Sequence, residues 1–174
     1  KSGERRFKEL VKRYGKDAVV QSIAAIMDQA EVAARKRTLT IPDGVYEAES
    51  FMDDDGVDIG KRIPIKVRII KSGEEMTIDL TDVGKQVRGF YNSGPSTGVA
   101  CAQVAFKCLT SPTDYPINEG SFRPLKVVVP PGRFISATRP APPDGSIPGP
   151  APANPDRMAG AISARPVVAY WSAT

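Results

Sequence analysis

Apolar residues along this chain change their spacing twice. Phe7, Leu10, Val11 and Tyr14 fall three or four residues apart, the spacing of one helix face, and predict a helix over 3–14. Gly15 suits the left-handed position that ends it. Asp17 stands at or just inside the start of a longer helix, whose stripe is Val19, Ile23, Ile26, Met27, Ala30 and Ala34. Residues 1–40 are therefore expected to form a helical hairpin. Its apolar faces need a partner, either the following domain or another chain.

Ile41-Pro42-Asp43-Gly44 is a turn signal, and the period then becomes two. A strand is expected over 45–51. Ile63, Ile65, Val67 and Ile69 alternate with Pro64, Lys66 and Arg68, the clearest strand in the chain. Pro64 predicts an edge or strand-initial position. Lys71-Ser72-Gly73-Glu74 reads as a hairpin turn, with residues 75–81 returning antiparallel. A helical spacing resumes at Val99, Ala102, Ala105, Phe106 and Leu109, predicting a helix over 97–109 that packs on the sheet. The valine-rich run 125–129 is expected to be a buried strand. The fold class is α+β: a helical hairpin, then a mostly antiparallel sheet with one packed helix over 41–130.

After residue 130 the character changes. Ten of the sixteen prolines lie between Pro130 and Pro166, a density that excludes ordinary helix or central strand. Residues 131–174 are expected to be a proline-rich extended arm lying on a partner, a disordered segment, or the remainder of a chain cut short. The apolar and aromatic run Val167-Val168-Ala169-Tyr170-Trp171, which a free tail would seldom expose, points to a docked arm or to a chain cut short inside a larger protein.

Composition narrows the chemistry. Histidine is absent from the 174 residues, which removes imidazole metal sites and both Ser-His-Asp and Cys-His catalysis. Cys101 and Cys108 lie seven apart, about 10.5 Å along a helix, too far for a disulfide. Buried free thiols fit a reducing cytoplasm. The first residues lack the apolar segment of a secretory signal. No run approaches the roughly 20 apolar residues of a membrane span. The net charge of +4 comes from basic residues dispersed over helix faces without interleaved aromatics, so a nucleic-acid partner is not expected. Asp53-Asp54-Asp55-Gly56-Val57-Asp58 begins like a calcium loop, but its twelfth position is Pro64 where a glutamate is required. A solvated acidic turn is the expectation and a bound cation the alternative.

The candidate site lies between the strand 75–81 and the helix at 97. Asp82, Gln86, Arg88 and Asn92 crowd this polar loop, which ends in Gly94-Pro95-Ser96. Arg88 is suited to a carboxylate or phosphate oxygen, Gln86 and Asn92 to an amide, and the amides at 96–98 to anionic charge. The alternative is that Asp82 and Asn92 satisfy backbone groups of their own turn.

Asp43-Gly44-Val45-Tyr46-Glu47-Ala48-Glu49, followed by Asp53-Asp54-Asp55-Gly56, resembles a segment of the hydantoinase B/oxoprolinase family. So do Glu31-Val32-Ala33-Ala34-Arg35 upstream, Asp79-Leu80-Thr81 with Gln86-Val87-Arg88-Gly89 and Asn92, and Pro116-Ile117-Asn118-Glu119-Gly120 with Arg123-Pro124. These pieces keep the family's order over about residues 5–140, whereas the sequence from Pro142 departs from its pattern. The resemblance implies the later part of a longer B-type chain. Such chains belong to ATP-dependent enzymes that open hydantoins, 5-oxoproline or lactams, or to related ketone carboxylases. It further implies a hetero-oligomer with an A-type subunit that binds the nucleotide, with ATP and a divalent metal held outside these residues. On that reading the chain alone is inactive, and Asp82, Gln86, Arg88 and Asn92 lend substrate contacts. A non-catalytic module that assembles subunits is the alternative.

Overall fold

The period-two residues build the centre of the fold. In β2 (Ile63–Ser72) burial alternates without a break: Ile63, Ile65, Val67, Ile69 and Lys71 face inward, and the residues between them face solvent. β1 (Gly44–Met52) pairs with it antiparallel, Tyr46 opposite Ile69 and Met52 opposite Ile63. Gly73, at φ 56°, turns the chain into β3 (Glu75–Asp79), antiparallel on the other side of β2. Pro64 is thus strand-initial but not at an edge, because β2 is an interior strand of the order β1-β2-β3-β4.

The computed structural model describes residues 1–89, 91–110 and 117–138. Within them, α1 (Ser2–Tyr14) and α2 (Lys16–Thr38) precede the sheet, meeting at Gly15 (φ 84°). α3 (Pro95–Thr110) follows β3 and leads through a short 3-10 turn (Glu119–Phe122) to β4 (Leu125–Val128). β4 lies parallel to β3, Met76 opposite Leu125. Parallel neighbours need a long crossover, which α3 supplies. The valine run is therefore a half-buried edge strand and not a buried one, since only one of its sides has a neighbour to pair with.

α3 starts two residues earlier than its apolar spacing suggests, with Pro95 at the first helical position, where a missing N–H costs nothing. Gly98, Cys101, Ala102, Ala105 and Phe106 face the sheet, while Val99 is left exposed. Small residues on that face bring the helix close: a Cβ on Gly98 would stand 2.9 Å from the Val129 side chain. Leu80, Val83, Phe106, Phe134 and Ile135 fill the space between helix and sheet at essentially zero exposure. Cys101 is buried, which pushes its thiol up, whereas Cys108 is exposed, so only one thiol meets the burial expected of both.

Residues 132–138 belong to this core, although the prolines on either side of them group them with the arm. Phe134 and Ile135 provide the burial that the flanking prolines do not, and the Phe134 and Ala137 amides donate to Gly84 and Ser93 carbonyls. The arm from residue 139 onward lies outside the described residues.

Only the second half of α2 joins the core, through Ala30, Ala34 and Thr38. There the Met27 carbonyl abuts Gly120 so closely that a Cβ would overlap it. Arg123 adds bonds to Asp28 at 2.7 Å and Glu31 at 2.8 Å. α1 buries no residue, and Phe7, Leu10, Ile23 and Ile26 stay between 40% and 53% exposed. Among the described residues no helix is long and apolar enough to cross a membrane.

Candidate functional site

Beyond β3 the chain is pinned from both sides. The Leu80 amide donates to Val128 O at 2.9 Å and the Gly84 amide to Pro64 O at 2.8 Å. The Gln86 amide donates to Gly132 O at 2.9 Å. Gly84 passes where a Cβ would press on Ile63. Residues 82–89 are therefore a fixed shelf beside the start of β2, and they face the acidic loop 53–62 across a groove of about 320 Å³.

Asp55 joins the two loops. Its side chain accepts from the amides of Val57 (2.9 Å) and Asp58 (2.6 Å) through Oδ1, and from Gly89 (2.9 Å) through Oδ2. It is 3% exposed. The Asp58 amide above all, then those of Val57 and Gly89, lowers its carboxyl to about 2 against the opposing effect of burial. The acidic stretch is thus not a solvated turn throughout. One carboxylate is buried because folding supplies it with N–H donors, and Asp54 likewise caps the Gly56 amide at 2.9 Å. Among the described residues no three His, Cys, Asp or Glu side chains converge on one point.

The four residues singled out from sequence separate. Asn92 is fully buried under the shelf. Its Oδ1 accepts from the Val87 amide at 2.8 Å, and its Nδ2 donates to the Val87 and Gly89 carbonyls at 2.7 and 3.1 Å. That geometry braces the loop from below. Gln86 lines the groove, with Oε1 accepting from the Thr138 amide at 3.0 Å. Arg88 also lines it, 77% exposed, and its nearest carboxylate is Asp58 at a long 3.5 Å. Asp82 is exposed and lies away from the groove. The helix start at 96–98 is not an open anion cradle, because the Thr97 and Gly98 amides already donate to Gly94 and Ile135 carbonyls.

Sequence reasoning passes over Lys61, Arg62 and Lys85, which line the same groove. Nothing local marks them. Their meeting depends on the Gly84–Pro64 hydrogen bond, which joins segments twenty residues apart. Asp55 has a signal in the glycine that follows the three aspartates.

Known proteins share this sequence and this fold. The B-type chain of a putative D-/L-hydantoinase from Pseudomonas sp. (strain NS671) is 32% identical over 151 residues, covering 80% of this chain and 25% of that protein. The beta chain of caprolactamase from Pseudomonas jessenii is 30% identical over 141 residues, covering 80% and 24%. The crystal structure of the ATP-dependent caprolactamase from Pseudomonas jessenii superposes with a TM-score of 0.72 at 29% identity over 81% of this chain. A nucleotide-free acetone carboxylase structure shares the fold at TM-score 0.63 and 13% identity over 75% of this chain. The chain spans about a quarter of the length of the hydantoinase and caprolactamase chains it matches. The model of the hydantoinase B/oxoprolinase family matches residues 1–172, and the chain belongs to that family.

Proposed function

We propose that this chain is part of the B-type component of an ATP-dependent enzyme that opens a cyclic amide, such as a hydantoin, 5-oxoproline or a lactam. A related ketone carboxylase is the other member of the same class. The observation that carries the reading is the likeness to the ATP-dependent caprolactamase, in sequence and in fold together. In such a complex the groove between the two loops is the ligand-facing part of this chain. Arg88 presents a guanidinium with no strong competing carboxylate, and Gln86 presents its amide nitrogen beside it. Asn92 serves them from beneath by holding the loop, and Asp82 contributes least.

ATP and a divalent metal belong to the complex outside these residues, with an A-type subunit as the nucleotide-binding partner. The reducing cytoplasm suits the two free thiols. The purified chain, given ATP and 5-oxoproline, hydantoin or caprolactam, should show no turnover, and the complete complex, with the remainder of the B-type chain and the A-type subunit, should show it. Turnover by the chain alone would overturn the division of labour, and inactivity of the complete complex on every cyclic amide would overturn the substrate class.

A second reading, a module that assembles subunits, draws on the apolar stripe of α1 and α2. Phe7, Leu10, Ile23 and Ile26 are about half exposed on a pair of helices of which only α2 reaches the core, toward its C-terminal end. Co-purification of an A-type subunit with the chain, lost when residues 142–174 are deleted, would extend that role to the arm. Unchanged association would deny it to the arm.

A further inference from the structure

The groove holds more positive charge than its own folding uses. Lys61 and Arg62 stand on the wall formed by the acidic loop, and Lys85 and Arg88 on the shelf opposite. The two carboxylates that line it are unequal. Asp55 is buried and engaged by backbone amides, so its oxygens are taken up inside the loop while its charge still counts. Asp58 alone faces a cation, Arg88, and only at 3.5 Å. Among the described residues, Lys61 and Lys85 have no carboxylate within ion-pair distance, and the Arg62 guanidinium lies 4.1 Å over the Phe51 ring. Ile63, Pro64 and Val87 give the groove an apolar floor. Like charges that converge on a concave, partly apolar surface focus the field and concentrate anions there.

We infer that this groove binds a phosphate group, as inorganic phosphate or on a small phosphate ester, between Arg88 and Lys85 on one side and Lys61 and Arg62 on the other. The cations exceed the carboxylates by two, which matches the charge of a phosphate monoester near neutral pH. A single carboxylate would neutralise half of that excess. Arginine's planar fork suits tetrahedral oxyanions, and lysines supply the point charge. The volume of about 320 Å³ has room for a phosphate carrying a small organic group. The inference rests on reading the groove as the ligand-facing part of the chain, but not on ring opening.

The test is a titration of the isotope-labelled chain, followed by backbone amide shifts at constant ionic strength. Inorganic phosphate, glycerol 2-phosphate, acetate and chloride are the four probes. Saturable shifts at Lys61, Lys85 and Arg88 with either phosphate species, and none with acetate or chloride, are expected. Saturation by inorganic phosphate alone assigns the free ion, and saturation by the ester assigns a phosphorylated small molecule. The double variant K85Q/R88Q changes two exposed side chains and should weaken binding by about tenfold or more while its spectrum stays folded. No saturation with either phosphate species, an equal response to chloride, or undiminished affinity in the double variant would overturn the inference. Saturable phosphate binding by a chain whose assembled complex opens no cyclic amide would instead overturn the functional reading alone.

Discussion

The Asp55 carboxylate accepts the Gly89 amide at 2.9 Å across 34 positions of sequence, and this bond ties the acidic loop to the shelf that carries Arg88. Asp55→Asn keeps the size but replaces an all-acceptor group with one that turns a donor toward amide donors. A buried N–H left unmatched costs about 1–3 kcal/mol. The variant should lose about 2–3 kcal/mol in urea unfolding. Because the folded carboxyl titrates near 2 and an unfolded one near 4, the bond's contribution is full above about pH 4 and is lost as pH falls through about 2. Acid unfolding over that window should be shallower in Asp55→Asn. Equal acid profiles would show that the carboxylate is not the link.

The same contact constrains Gly89. A Cβ there would fall on the Asp55 carbonyl, backbone against backbone, with no flexible side chain to yield. Gly89→Ala should destabilise by about 2–4 kcal/mol and displace the groove walls. Gly94→Ala serves as its control: nothing lies within 4 Å of the added carbon, so its thermal midpoint should stay close to that of the parent.

Arg88 and Asn92 share one loop but should respond in opposite ways. Arg88→Ala removes an exposed side chain with one weak ion pair, so stability should change by less than about 0.5 kcal/mol. Activity of the assembled enzyme should nevertheless fall at least about tenfold, one charged hydrogen bond being worth that much. Asn92→Ala takes a partner from the partly buried Val87 amide and carbonyl and from the buried Gly89 carbonyl, and should cost about 2–4 kcal/mol. Unfolding curves measured beside activity separate the two. A destabilised Arg88→Ala or a fully stable Asn92→Ala would reverse these assignments.

Alternation made β1, β2 and β3 legible, because burial on one face of a sheet writes a period of two into the sequence. The turn at Gly73 was equally readable, since only a left-handed residue closes that hairpin. The parallel placement of β4 was not. Strand direction follows from where α3 delivers the chain, which no local pattern records. The site was half legible for the same reason: polar residues show that a loop is special but not which way each side chain points. Asn92 and Arg88 look equally available in sequence, yet one is fully buried and the other 77% exposed. Phe134 and Ile135 were hidden among prolines, though two adjacent bulky apolar residues in a proline-rich stretch are themselves a mark of burial.

The exposed stripe of α1 and α2 gives the last prediction. Leu10 and Ile26 are about half exposed, 48% and 53%, and in the chain alone they hold nothing together. Leu10→Glu and Ile26→Glu should therefore leave urea unfolding of the chain within about 0.5 kcal/mol of the parent. If the stripe docks on another subunit, each substitution buries a carboxylate against an apolar surface in the complex, at a cost of several kcal/mol. Co-purification with an A-type subunit should then be lost in both variants and kept in Glu4→Gln, whose side chain is exposed and already engaged by Lys8 on the same helix. Retained association in Leu10→Glu and Ile26→Glu would mean that the helices serve only to carry Ala30 and Ala34 into the core. Loss of stability in the isolated variants would mean that the stripe is covered within the chain itself.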